Sequence, residues 1–191
     1  MMITGGQMKT LIFNGSPRKK GDTAFLIGKL REKLQGEVLV IDTHNSPIKP
    51  CNDCRYCWKK PGCSIPDEMQ QVYEYIKDCD NIIIASPVYF SELTGTLLAV
   101  CSRLQTFYAS RRFLKINQIP KKKKGAVILC GGGEGAPEKA QSTAKTLLRE
   151  MNAELVGMVG ALHTDKIPSK EDQVALQQLD ALIDCLNQPA E

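Results

Sequence analysis

Two histidines and one tryptophan stand among 191 residues, and aromatic side chains make up only 6% of the chain. This scarcity limits the chemistry. His44 and His163 have no partner at a recognisable catalytic spacing, no Ser/His/Asp relay can be assembled, and each reads as a surface or loop histidine. No apolar stretch approaches about 18 residues, which excludes an ordinary membrane helix, and the first residues carry no secretory core. The expected location is the cytoplasm, with no membrane partner. Charge of one sign is also missing: the net charge is +4 with both signs interspersed, so no nucleic-acid partner is expected. The one dense basic run, residues 121–124, lies between Pro120 and a buried-looking strand and reads as a solvated loop edge.

What is present is a full core. With 42% apolar residues the chain supports one domain over residues 8–191, residues 1–7 reading as a leader or cloning remnant. Strand and helix patterns alternate throughout. Strands are expected over 8–14, 37–42, 81–86, 125–130 and 154–161, and helices over 23–34, 67–77, 95–108, 138–151 and 170–185. The third strand is a near-continuous Ile-Ile-Ile-Ala run, as a parallel strand covered on both faces requires. Five β/α units predict a doubly wound α/β sheet with helices on both faces. A cysteine-rich loop near residues 50–66 interrupts the alternation.

In such sheets ligands bind beyond the carboxyl ends of the strands, at the switch point. The first strand runs into Asn14-Gly15-Ser16-Pro17-Arg18-Lys19-Lys20-Gly21-Asp22-Thr23 and then a helix. Unpaired N–H groups at the helix start, the hydroxyls of Ser16 and Thr23, and the charges of Arg18 and Lys20 make this a phosphate cradle. The turn carries neither a P-loop nor a G-x-G-x-x-G pattern, so it reads as a monophosphate site. After the third strand come Pro87, Val88, Tyr89 and Phe90; after the fourth come Gly131, Gly132, Gly133, Glu134 and Gly135. A flat heteroaromatic ring could pack on Tyr89 and Phe90 while exposed glycine N–H groups bond its edge. Taken singly, the aromatics could be core and the glycines a tight turn; three convergent loops favour a flavin mononucleotide site.

Of eight cysteines, Cys79, Cys101, Cys130 and Cys185 stand singly where a small buried hydrophobe is the default. Cys51, Cys54, Cys57 and Cys63 are crowded into one segment, which in a reducing compartment points to metal or redox chemistry. Trp58, directly after Cys57, reads as cover for an interface or a cavity.

Three segments carry a family resemblance: Gly15-Ser16-Pro17-Arg18-Lys19 to Thr23; Pro50-Cys51 through Cys54, Cys57 and Cys63 to Asp67 and Met69; and Ser86-Pro87-Val88-Tyr89 to Gly95 and Arg103. With them the chain resembles the flavodoxin-like NAD(P)H-dependent FMN reductases, in particular the iron–sulfur flavoprotein branch. The resemblance implies strand order 2-1-3-4-5, bound FMN, NAD(P)H as co-substrate, and a homodimer or homotetramer. Carried over by position, Ser16, Arg18, Lys20, Asp22, Thr23 and Ala24 would surround the FMN phosphate, and Pro87, Val88, Tyr89 and Phe90 would line the isoalloxazine. Many relatives have Asn where this chain has Asp22, a carboxylate that would need to turn inward and cap the first helix. Relatives also often have Lys and Asp near Leu98 and Ser102.

The spacing C-x2-C-x2-C-x5-C matches the compact motif of that branch, and a [4Fe-4S] cluster would fit it. Free thiols flanking the flavin are the equal alternative; zinc, which in structural sites usually pairs two knuckles across a longer spacer, stands behind both. The function implied is an FMN-dependent oxidoreductase: a reduced nicotinamide gives hydride to flavin N5, and a quinone, free flavin, nitro compound or metal complex receives the electrons. No catalytic side chain is demanded, because the cofactor carries the hard step. The alternatives are an iron–sulfur flavoprotein electron carrier reduced by a ferredoxin-like partner without direct NAD(P)H turnover, and a flavin-binding redox sensor.

Overall fold

The computed structural model describes residues 7–133 and 136–189; the expected leader lies outside them except for Gln7, as do Glu134 and Gly135 of the glycine loop. Five strands, β1 (Lys9–Asn14), β2 (Glu37–Asp42), β3 (Asn81–Pro87), β4 (Lys123–Cys130) and β5 (Ala153–Ala161), form one all-parallel sheet in the order β2-β1-β3-β4-β5. This is the flavodoxin-like order.

Strand alternation splits the core in two. Leu11, Phe13, Ile82, Ile84, Val127 and Leu129 face one side, where α2 (Met69–Asp78), α3 (Gly95–Cys101), α4 (Gln105–Ala109) and α5 (Glu138–Glu150) cover them. Ile12, Ile83, Ala85, Ala126, Ile128 and Cys130 face the other, under α1 (Asp22–Lys33) and α6 (Gln173–Leu186). A period of two on strands buried on both faces explains why every residue of the β3 run Asn81 to Ser86 is buried.

Three expectations are corrected by local chemistry. The single helix over 95–108 is instead α3, a 3-10 turn (Ser102–Leu104), α4 and a π turn (Ser110–Leu114). Ser102 Oγ donates to Ala99 O at 2.6 Å while accepting from Cys51 N at 2.9 Å, a side-chain bond that competes with the regular ladder. The last helix starts at Gln173, not 170, because Asp172 is its cap and accepts from Ala175 N at 3.0 Å. The lysine run is not wholly a solvated edge. Lys123 is 2% exposed within β4, its Nζ donating to Lys121 O at 2.7 Å, and Lys124 Nζ donates to Cys185 O at 2.7 Å and Gln188 O at 3.0 Å at the end of α6.

The connection between β2 and α2, residues 43–68, holds only a 3-10 turn (Tyr56–Trp58). It hangs from the sheet's edge, since β2 pairs with β1 alone.

Candidate functional site

The β1–α1 turn closes against the loop after β3. Gly15 N donates to Ala85 O at 2.8 Å, Thr94 Oγ1 donates to Gly15 O at 2.9 Å, and Thr94 N donates to Ser86 Oγ at 3.1 Å. A Cβ on Gly15 would lie 2.6 Å from Thr94 Oγ1, so only glycine permits this approach. Within the turn, Ser16 N donates to Asn14 Oδ1 at 2.9 Å and Arg18 N donates to Ser16 Oγ at 3.2 Å.

Helix α1 opens at Gly21 with no side-chain cap, and its first intrahelical bond runs from Phe25 N to Gly21 O. The N–H groups of Asp22, Thr23 and Ala24 are left to a ligand or solvent. Asp22 does not cap the helix as the resemblance required. Its Oδ1 accepts from Ser169 N at 2.8 Å, so its charge is drawn toward the segment preceding α6.

A cleft of about 130 Å³ joins this turn to three other strand ends: Ser16, Arg18, Gly21, Asp22 and Thr23 meet Pro87, Val88, Tyr89, Cys130, Gly131, Gly132, Thr164 and Asp165. Of the residues expected at the site, Lys20, Ala24, Phe90 and Gly133 do not line it. Tyr89 is 47% and Phe90 101% exposed, so neither is core. Phe90 and Ser91 adopt left-handed φ of 52° and 63°, clamped by Tyr89 N to Glu92 O and Glu92 N to Tyr89 O bonds of 2.9 and 3.0 Å, which turn the Phe90 ring out of the cleft. Gly131 N is spent on Ala161 O at 2.8 Å. A Cβ on Gly132 would lie 2.3 Å from Asp165 Oδ1, so glycine is needed there because the carboxylate covers that face of the backbone. Burial pushes the Cys130 thiol up to about 11, against the pull of the Thr23 hydroxyl, and keeps this cleft-lining sulfur protonated near neutrality.

The second site is a cavity of about 440 Å³ lined by all four crowded cysteines. Cys51, Cys54, Cys57 and Cys63 are free thiols, the first two exposed and the others half-buried. A hydrogen bond with Ser64 Oγ at 3.2 Å holds the Cys54 thiol below its usual value, whereas burial raises that of Cys57. Trp58 stacks on Phe113 with centroids 4.3 Å apart, and both wall the cavity, so the tryptophan does cover one. Among the described residues no three His, Cys, Asp or Glu side chains meet closely enough to share one metal ion.

The loop is pinned by Arg103, whose side chain is 0% exposed and pairs with Asp67 at 2.7 Å (Nη1 to Oδ2) and 3.1 Å (Nη2 to Oδ1). Nη1 also donates to Lys49 O at 2.9 Å. Burial pushes the Asp67 carboxyl up, but the Arg103 hydrogen bond and the Lys49 N–H outweigh it, and the group ends below the usual carboxylate range. Asp67 and Arg103 were visible as motif residues; Ser64 and Ser102 carried no signal of their own. Of the singly placed cysteines, Cys79, Cys101 and Cys130 are buried as expected, while Cys185 is half-buried.

A five-stranded parallel sheet in this order, with a cleft at its switch point, defines a flavodoxin-like α/β protein. The chain matches the model of the NADPH-dependent FMN reductase family over residues 8–165 and belongs to that family. It is 35% identical to an iron–sulfur flavoprotein of Archaeoglobus fulgidus across 51% of each chain, thus spanning about half that relative's length. To an iron–sulfur flavoprotein of Methanosarcina thermophila it is 29% identical across 89% of this chain and 88% of the other. A solved structure of the same fold, an NAD(P)H:quinone oxidoreductase from Methanothermobacter marburgensis, superposes with TM-score 0.66 at 16% identity, covering 96% of each chain.

Proposed function

We propose that the chain is an FMN-dependent oxidoreductase that takes reducing equivalents from NAD(P)H and passes them to a quinone, flavin or similar acceptor. The carrying observation is the uncapped N-terminus of α1 beside Ser16, Arg18 and Thr23, at the head of a cleft that continues past Tyr89 to Gly132. These residues fit a terminal phosphate: three free N–H groups, two hydroxyls and a guanidinium that is unpaired among the described residues. Pro87, Val88 and Tyr89 supply the ring wall, and Gly132 and Asp165 close the far end of the cleft. Bound FMN would supply the hydride acceptor at N5. The protein's own part is to hold the phosphate and orient the ring. Rapid mixing of the FMN-loaded protein with NADH or NADPH tests the reading, with bleaching of flavin absorbance as the expected result. No bleaching at high nicotinamide would overturn it.

The second reading is an iron–sulfur flavoprotein electron carrier, favoured by four thiols lining a single cavity. Soft thiolates are the donor set that iron–sulfur clusters use, and Cys51, Cys54, Cys57 and Cys63 would hold a [4Fe-4S] group supplying one-electron steps. Anaerobic reconstitution with iron and sulfide should load the wild type, and replacing any of the four by Ser should lower the iron content while leaving FMN bound. A wild type that takes up neither element eliminates the cluster.

A further inference from the structure

Two residues that line the cavity of the four cysteines carry polar atoms that the folded chain leaves unanswered. Arg103 is 1% exposed and Thr106 3%, and both line the cavity. The two Nη ends of the guanidinium are committed, to Lys49 O, Ile65 O and the two oxygens of Asp67. Its Nε is buried without a partner, and so is Thr106 Oγ1; of three such orphaned side-chain atoms among the described residues, two are on residues that line this cavity. An unmet buried donor bears its full desolvation penalty, which a chain tolerates where a bound group answers it. Arg103, in the 3-10 turn, and Thr106, in the first turn of α4, stand three apart, a spacing that brings side chains to one side in either kind of helix.

We propose that Arg103 and Thr106 are positioning residues for a thiolate-bound iron–sulfur group in this cavity, giving the Nε–H and the hydroxyl hydrogen to its sulfur atoms and raising its reduction potential. This rests on the cluster reading above. Hydrogen bonds to sulfur favour the more negative, reduced state, which is how surrounding donors set the potential of such a group. The arrangement divides the labour of Arg103. Its Nη edge anchors the loop through Asp67, and its Nε edge serves the occupant.

The test is the potential of the reconstituted protein, read by electron paramagnetic resonance during reductive titration. Thr106→Val keeps the side-chain shape and removes only the hydroxyl. Its iron and sulfide content should match the wild type, and its equilibrium constant for one-electron reduction should fall about tenfold, the equivalent of 59 mV. In the metal-free chain the same substitution should leave the melting temperature equal or higher, since it deletes an unmet donor. Arg103→Lys keeps a positive charge for Asp67 while losing the Nε–H, and should lower the potential in the same direction. The potential decides: a loaded Thr106→Val protein titrating with the wild type overturns this inference and leaves the cluster standing. A wild type that takes up no iron or sulfide overturns both.

Discussion

The switch-point cleft and the cysteine cavity lie on one chain and are built on opposite plans. The cleft is made of strand ends and backbone. Its donors are helix N–H groups and its shape is fixed by glycines at 15 and 132, each pressed by a neighbouring side chain. The cavity is made of side chains on a long irregular connection, and its shape depends on one buried ion pair and a few bonds from side chains to backbone. The first inherits rigidity from the sheet; the second must bring its own supports.

Breaking one site should therefore leave the other intact. The largest effect expected is on the cleft: replacing Ser16 and Arg18 together by Ala removes charge-assisted bonds worth about 1.5 to 3 kcal/mol each. FMN affinity should fall at least about a hundredfold by fluorescence quenching, with the melting temperature and any iron content unchanged. An equal loss of iron would show that the sites are not independent.

On the other side, Asp67→Ala leaves Arg103 buried and unpaired, at a cost of about 3–5 kcal/mol. Chemical denaturation measures it, and the loop should be the part that loosens. The carboxyl of Asp67 lies below its ordinary value in the folded chain, so its contribution is complete above the unfolded value of about 3.9 and drains away as pH falls through the lower folded value. Melts across acidic pH should show that loss in the wild type, and a flatter profile in Asp67→Ala.

Gly15→Ala drives a methyl group into Thr94 Oγ1 and should cost about 1–3 kcal/mol while opening the joint between the turn and the β3 loop. Flavin affinity should drop with stability here, unlike in the Ser16 and Arg18 variant. Smallest of all is Phe90→Ala. The ring is fully exposed and off the cleft, so both stability and FMN affinity should hold, stability within about 0.5 kcal/mol. A weakened affinity would show that the Phe90 tip folds back over a bound ring.

Legibility in the sequence followed the same division. The doubly wound sheet, the two-faced core and the meeting of three loops were readable because hydrophobic period and β/α alternation determine them, whereas the strand order came from the family resemblance alone. Who bonds whom was not. Asp22 turns to Ser169 rather than its own helix, and Gly131 spends its N–H on Ala161, because partners from distant segments compete for the same groups. The broken helix after Gly95 was hidden for a similar reason: nothing in the run Leu-Ala-Val-Cys-Ser-Arg-Leu announces that Ser102 and Arg103 will be recruited by the cysteine loop. The four cysteines announced themselves by spacing alone, and spacing says nothing of Trp58 stacking on Phe113, which lies far along the chain.

The place where that connection enters the fold sets what its removal would involve. It leaves β2, a strand with a free edge, and rejoins at α2, and the entropy of closing a surface loop grows only slowly with length, by about 0.6 kcal/mol for each doubling. No strand register depends on it. The cysteine segment is thus a cassette joined through one buried guanidinium: a protein of this plan could shed or exchange it only together with Arg103, whose partners Lys49, Ile65 and Asp67 all lie in it, while the cleft at the strand ends kept its shape.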